Sequence, residues 1–170
     1  RLMTDMIKNL LNVSRVELDT LIIKPEIINV EKYIVEIYNV LQRQIEAKNL
    51  KYNFSCDEHL PQIFFDPQIL RMIIENLLTN AIAYTPPGGT INIRAEISDC
   101  IVLLSISDSG CGIADDDKDK VFTKLFRAKN AKEINPAGNG LGLYIVKAVA
   151  DKTGAGIWFE SQEGIGTSFF

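Results

Sequence analysis

The sequence predicts a two-layer α/β sandwich, a mixed and mostly antiparallel sheet with helices on one face. Strong helical periodicities are interleaved with short β-rich runs in mixed order, which suits a sheet covered by helices rather than strict βαβ alternation. The 170 residues, 46% hydrophobic and 24% charged, have the size and composition of one domain with its own core. No internal repeat or low-complexity segment divides the chain.

Met3, Met6, Leu10 and Val13 step by three and four, the spacing of a coiled-coil seam, over too few heptads to hold together alone. Residues 1–17 are expected to be the end of a longer helix, and residues 1–20 a unit apart from the domain at 21–170; the alternative is an amphipathic helix that packs on its own domain. Pro25 interrupts the pattern. Residues 30–48 then read as a helix with Ile34, Ile37, Tyr38, Leu41 and Ile45 on one face. Residues 50–55 read as a short strand, and His59 and Pro61 fall in a connection. A second helix over 67–84 starts on Pro67, turns Leu70, Ile73, Ile74, Leu77, Leu78 and Ala81 inward, and is stopped by Pro86-Pro87-Gly88-Gly89. Residues 90–97 and 101–108 form a hairpin pattern across Ser98-Asp99-Cys100. A third helix follows over 141–153. Residues 157–161 and 167–170 then pair across Gln162-Glu163-Gly164-Ile165-Gly166, with the last strand cut short.

The net charge of −4, without a basic stripe, excludes nucleic acid as the expected partner. Cys56, Cys100 and Cys111 are odd in number and lack C-x-x-C spacing, which points to a reducing, cytoplasmic compartment. No apolar run reaches the ~18 residues of a membrane span, so no direct membrane contact is expected from this stretch; an anchor elsewhere in a longer protein stays open.

Three groups of residues carry the chemistry. Gly138-Asn139-Gly140-Leu141-Gly142-Leu143 opens a helix, so unpaired N–H groups and the positive end of the helix dipole face outward, a setting for polyphosphate. No strand precedes it as in a dinucleotide fingerprint, and no G-K-[ST] makes a P-loop; a plain loop-to-helix cap is the alternative. Asp108-Ser109-Gly110-Cys111-Gly112 ends a strand, where a carboxylate would accept from the exocyclic amine of adenine and repel the carbonyl of guanine. On its own, Asp-Ser-Gly is more often just a turn. Asn76, Asn80 and Tyr84 recur at i, i+4 and i+8 on one helix face, and their amide oxygens suit Mg²⁺ that already carries phosphate, unless the face is merely solvated.

In this order, these motifs resemble the catalytic and ATP-binding domain of sensor histidine kinases, within the wider superfamily of gyrase, Hsp90, histidine kinase and MutL (the Bergerat fold). Glu75-Asn76-Leu77-Leu78-Thr79-Asn80-Ala81 with Tyr84-Thr85-Pro86 resembles the asparagine box. Asp108-Ser109-Gly110-Cys111-Gly112-Ile113 resembles the first glycine box. Phe122 with Phe126-Arg127 is similar to the phenylalanine box, residues 138–143 to the second glycine box, and Gly164-Ile165-Gly166-Thr167 to the glycine turn near the family's C-terminus. The resemblance covers nearly the whole chain. It implies that Asn80 holds Mg²⁺, Asn76 lies beside the phosphates, Asp108 binds adenine and Arg127 reaches the γ-phosphate. Tyr84, Gly110, Gly112, Ile113, Phe122, Gly138, Gly140, Leu141, Gly142, Leu143 and Thr167 would complete the nucleotide contacts. Residues 124–139 would form a mobile lid.

The implied reaction passes the γ-phosphoryl of ATP to a histidine on the dimerisation and phosphotransfer domain of the same protein, and from there to a response regulator receiver domain. The full-length protein is expected to be a homodimer. Residues 1–17 would then be the end of that domain's second helix. The only histidine, His59, sits in Asp57-Glu58-His59-Leu60-Pro61, which is no helical acceptor position, so the acceptor lies outside this chain. Ala83 stands where many members have a lysine before the tyrosine of the asparagine box. That departure keeps a degenerate nucleotide-binding scaffold as an alternative, and a serine-directed kinase of the superfamily is another. A superfamily ATPase would need a glutamate base where this chain has Asn76, and an amide cannot take a proton from water. Glu75 is about 100° of helix away from that face.

Overall fold

The computed structural model describes residues 2–170, with the side chains of residues 2–5 and 8 left aside. Helix α1 (Leu2–Glu17) leads through a short strand β1 (Glu26–Ile28) into α2 (Val30–Ala47). Strands β2 (Lys51–Cys56) and β3 (Ile63–Phe65) precede α3 (Pro67–Tyr84), and β4 (Thr90–Ser98) and β5 (Ile101–Asp108) form the hairpin. A 3₁₀ turn at Asp115–Lys120 and a short helix α4 (Lys129–Ile134) lead to α5 (Gly142–Thr153), β6 (Phe159–Gln162) and β7 (Gly166–Phe169).

The main sheet has five strands in the order β2-β4-β5-β7-β6, with β2 parallel to β4 and the other neighbours antiparallel. Along β4, Ile91, Ile93 and Ala95 are buried while Asn92 and Arg94 are exposed, so one face of the sheet meets helices and the other meets water. On the covered face, Ile34, Ile37 and Leu41 of α2 and Ile74 and Leu78 of α3 pack with those strand residues and with Ile106 and Phe169. This is the expected two-layer arrangement. Asp99 and Cys100 both have positive φ, 48° and 67°, so the hairpin closes through a two-residue turn whose twist matches the strands.

Local capping explains the helix starts. The Asn29 side chain accepts from the Lys32 N–H at 3.1 Å. Asp66, buried at the start of α3, accepts from the Gln68 and Ile69 N–H groups at 2.8 and 3.0 Å and from the Lys24 N–H at 2.6 Å. One carboxylate therefore starts α3 and pins the segment that follows α1. At the other end of α3, Lys48 Nζ donates to the carbonyls of Ile82, Ala83 and Thr85 at 2.7, 2.8 and 3.1 Å, and burial lowers its pKa.

The structure departs from the sequence reading in three places. β1 and β3 pair as a small antiparallel ribbon that three-residue runs are too short to announce. The stretch before the second glycine motif, to which the sequence reading assigned no helix or strand, contains the 3₁₀ turn and α4. The seam on α1 divides: Val13 is 2% exposed, packed with Val16 against Ile69, Leu141, Ile145 and Val149, whereas Met6 and Leu10 are 57% and 60% exposed. The side chain of Met3 lies outside those described. The C-terminal half of α1 thus packs on its own domain.

Replacing Lys48 by Met keeps the stem but strands the carbonyls at the end of α3. Urea denaturation of Lys48→Met is expected to show a loss of about 1–3 kcal/mol. An unchanged midpoint would remove the clamp from the account of α3.

Candidate functional site

A solvent-open cleft of about 190 Å³ lies between α3, α5 and the end of β5. Its wall on α3 is the predicted row Asn76, Asn80 and Tyr84, with Thr79 beside it. Asn76, Asn80 and Tyr84 are partly buried against the cleft and Thr79 is exposed, so the row is a pocket wall and no ordinary solvated face. Asn76 Nδ2 donates to the Met72 carbonyl at 2.8 Å, which turns Oδ1 toward the start of α5. A Cβ at Gly142 would come within 2.9 Å of that oxygen, so a larger residue there would displace the Asn76 amide. Asn80 has no side-chain partner among the described residues and its amide faces the cleft.

α5 begins without a side-chain cap; Leu141 occupies its N-cap, and only the Leu141 N–H is met, by Asn139 Oδ1 at 3.0 Å. The N–H groups of its first turn and the positive dipole end therefore remain available to an anion at the cleft. Among the described residues, no group of three or more His, Cys, Asp or Glu side chains could hold a metal. A cation entering here would rely on amide oxygens together with oxygens of a bound phosphate.

At the far end of the cleft, Asp108 closes β5. Gly110 N–H donates to Asp108 Oδ1 at 2.8 Å. Burial drives the carboxyl up to about 6, against the opposing pull of the Gly110 and Thr167 N–H groups. Gly112 has φ +63°, and a Cβ there would lie 2.0 Å from the Gln162 carbonyl, which seats this turn on the β6–β7 turn. Ser161 Oγ accepts from the Ile113 N–H at 2.9 Å, lies 2.9 Å from Thr167 Oγ1 and donates to the Gly166 carbonyl at 2.9 Å. With that single hydroxyl proton committed, the Thr167 hydroxyl donates to Ser161 and keeps its lone pairs toward the cleft.

Of the residues expected from sequence, Asn76, Asn80, Tyr84, Asp108, Gly112, Ile113, Arg127, Gly138, Gly140, Gly142, Leu143 and Thr167 line the cleft. Gly110, Phe122 and Leu141 are not among its lining residues. Gly110 supports Asp108 from behind, and Phe122 packs edge-on against Phe159 and Phe169 at 5.7 and 6.4 Å between ring centres. Leu141 is buried with Val13 and Ile145. Arg127 is at the cleft, but its guanidinium donates to the carbonyls of Ala131 (3.1 Å), Asn135 and Pro136 (3.2 Å), closing the end of α4. Asn130 Nδ2 donates to the Gly112 carbonyl at 3.2 Å, tying the lid segment to the first glycine turn. Sequence reasoning passed over Asn9, Thr79, Cys111, Asn130, Asn139 and Ser161. Only Thr79, Cys111 and Asn139, inside quoted motifs, carried a local signal.

The raised carboxyl of Asp108 has a consequence for stability. With its pKa near 6 in the folded chain and 3.8 as the unperturbed value, the folded state binds more protons between those limits, so this group's contribution falls as pH rises through that window. Above it the ionised carboxyl costs on the order of 3 kcal/mol. Asp108→Asn is expected to hold or raise the melting temperature at pH 7.5 relative to the parent, with the difference vanishing near pH 4. A mutant that melts lower at pH 7.5 would show the carboxylate to be stabilising and the inference wrong.

Residues 65–170 match the family described as histidine kinase-, DNA gyrase B-, and HSP90-like ATPase. The adaptive-response sensory kinase SasA of Synechococcus elongatus is 33% identical over 165 residues, 96% of this chain and 42% of that protein, so the chain spans about two fifths of this relative. The catalytic domain of histidine kinase ThkA has a similar structure, with a TM-score of 0.72 at 30% identity, over 86% of this chain and 93% of that one. Full-length ShkA in complex with AMPPNP has a TM-score of 0.84 over 98% of this chain and 34% of that chain, at 22% identity a likeness of fold alone. The family match runs from the end of β3 through the last strand and takes in every wall of the cleft except Asn9. The chain belongs to the family of histidine kinase-, DNA gyrase B- and HSP90-like ATPases.

Proposed function

We propose that this chain is the ATP-binding catalytic domain of a sensor histidine kinase, which passes the γ-phosphoryl of ATP to a histidine on the dimerisation helices of the same, homodimeric protein. An aspartate on a response regulator receiver domain would take it from there. The observation that carries this reading is the polarity of the cleft. A part-buried carboxylate stands at one end, and at the other an amide row faces a helix start that has no side-chain cap.

Asp108 accepts from the exocyclic amine of adenine, which guanine cannot offer at that position. Ile113 and Tyr84 flank the ring, and Thr167 offers its hydroxyl oxygen. The polyphosphate lies toward α5, where the first-turn N–H groups hold its charge and Asn76 and Leu143 bound it. Asn80 is the metal ligand, its amide being open to the cleft, and Mg²⁺ when bound supplies charge neutralisation along the phosphates. Gly138 and Gly140 let the lid pass close to Arg127 and to the Leu125–Phe126 backbone. To reach a γ-phosphate, Arg127 must exchange the carbonyls at the end of α4 for phosphate oxygens.

A hydrolase of the same family is disfavoured because Asp108, at the adenine end, is the only carboxylate among the described residues that line the cleft. Glu75 does not line it and stands 3.8 Å from Arg71. His59 is exposed between β2 and β3 and away from the cleft, which agrees with an acceptor histidine carried elsewhere.

Calorimetric titration with ATP and with GTP, each with and without Mg²⁺, is expected to show selective, Mg²⁺-dependent binding of ATP. Asp108→Asn should weaken ATP by about 10–100-fold. No binding by folded protein, or equal binding of ATP and GTP, would sink the reading. In Asn80→Ala the affinity for ATP should lose most of its response to Mg²⁺. If the metal titrations of mutant and parent superimpose, Asn80 is not the ligand. Adding histidine-bearing dimerisation helices should give an acid-labile phosphoryl label, and ATP binding without that label would make the chain a scaffold.

A further inference from the structure

We propose that Asn9 of α1 is a further phosphate-contacting residue of the cleft, so that this helix, docked on the domain, distinguishes a nucleoside triphosphate from a diphosphate. The proposal rests on the ATP reading above. Asn9, Val13 and Val16 recur at i, i+4 and i+7 and share one face of α1. Val13 and Val16 are buried against Ile69, Leu141, Ile145 and Val149, all on or beside α3 and α5, so this face lies on the helical layer and away from the sheet.

One turn before Val13, the same face reaches the cleft with a half-buried amide in place of another apolar side chain. Asn9 lines the cleft together with Asn76, Thr79, Asn80 and Gly142, and the face of α1 that it continues packs on α3 and α5, the two helices that carry those residues. The terminal phosphate is the part of a nucleotide farthest from its base. With adenine on Asp108, a group entering from the helical side meets the γ-phosphate first, and an amide brings N–H donors to it without adding charge.

The setting of the helix is fixed by polar contacts as well as by the valines. Glu17 Oε1 accepts from Lys124 Nζ at 2.6 Å and from the Tyr144 hydroxyl at 3.1 Å, and Asp19 pairs with Lys152. These exposed pairs add little stability. They nonetheless orient α1 against both the root of the lid, at Lys124, and α5, at Tyr144 and Lys152. Asn9 is thereby the point at which α1 meets the bound ligand, and Glu17 the point at which it meets the lid.

The test measures ATP and ADP affinities of the whole chain by calorimetry, in Mg²⁺ at fixed ionic strength. Asn9→Ala is expected to weaken ATP by about 3–10-fold and leave ADP unchanged. Asn9→Asp places a like charge beside the terminal phosphate, so it should weaken ATP further, by an amount that shrinks as salt is raised. Affinities that match the parent in both variants, or equal losses for ATP and ADP, would overturn the assignment. A parent chain that binds neither nucleotide would instead sink the ATP reading, and this inference with it.

Discussion

The cleft depends on one constraint, the burial of Asp108 where β5 meets β7. A carboxylate can be held there only if backbone comes close enough to supply N–H donors, and side chains at the neighbouring positions would prevent it. A Cβ on Gly110 would lie 2.6 Å from Asp108 Oδ1, and one on Gly166 would lie 2.0 Å from the Asp108 carbonyl oxygen. The glycines on these two turns are thus consequences of a single packing problem. The same burial lifts the carboxyl toward neutrality, so a group well placed to recognise a ligand is held at a cost to the empty domain. Stability elsewhere must offset it, and the isoleucine-rich layer between α2, α3 and β4 is where it resides.

What was legible in the sequence follows from what has a period or a backbone requirement. α2, α3 and α5 showed themselves because their buried positions repeat at helical spacing, and the β4–β5 hairpin because two β-rich runs flank a short polar turn. Gly112 and Gly140 could be read as site residues because each meets a steric demand that another residue would fail. Phe122 and Leu141 share motifs with cleft residues, but neighbours in a motif point in different directions: Phe122 turns to Phe159 and Phe169, Leu141 to Val13. Asn9, Asn130 and Ser161 were invisible because tertiary packing alone brings them to the site. A three-residue strand such as β1 carries no period, and only its partner β3 defines it.

The lid segment shows how one side chain can be asked to do two things. Arg127 was expected at the γ-phosphate, and the structure has it closing the end of α4 through the carbonyls of Ala131, Asn135 and Pro136, with Nε buried and unpaired. Those carbonyls are the acceptors a helix end leaves unmet. Any anion that took this guanidinium would have to displace those carbonyls, so such binding would come at the expense of the end of α4. Asn130, which ties α4 to the Gly112 carbonyl, is the contact that would keep the lid near the ring if Arg127 changed partners.

The strand order also says something about how the molecule is assembled in time. β4 and β5 are neighbours in sequence and close through two residues, so their hairpin can form as soon as both exist. The β5–β7 ladder pairs Ile106 with Phe169 and Asp108 with Thr167, across nearly all of the intervening cleft-forming chain. Such a pairing carries a large loop-closure cost and belongs to the late part of folding. A nascent chain can therefore build the β4–β5 hairpin while the end of the cleft at Asp108 still awaits its β7 partner.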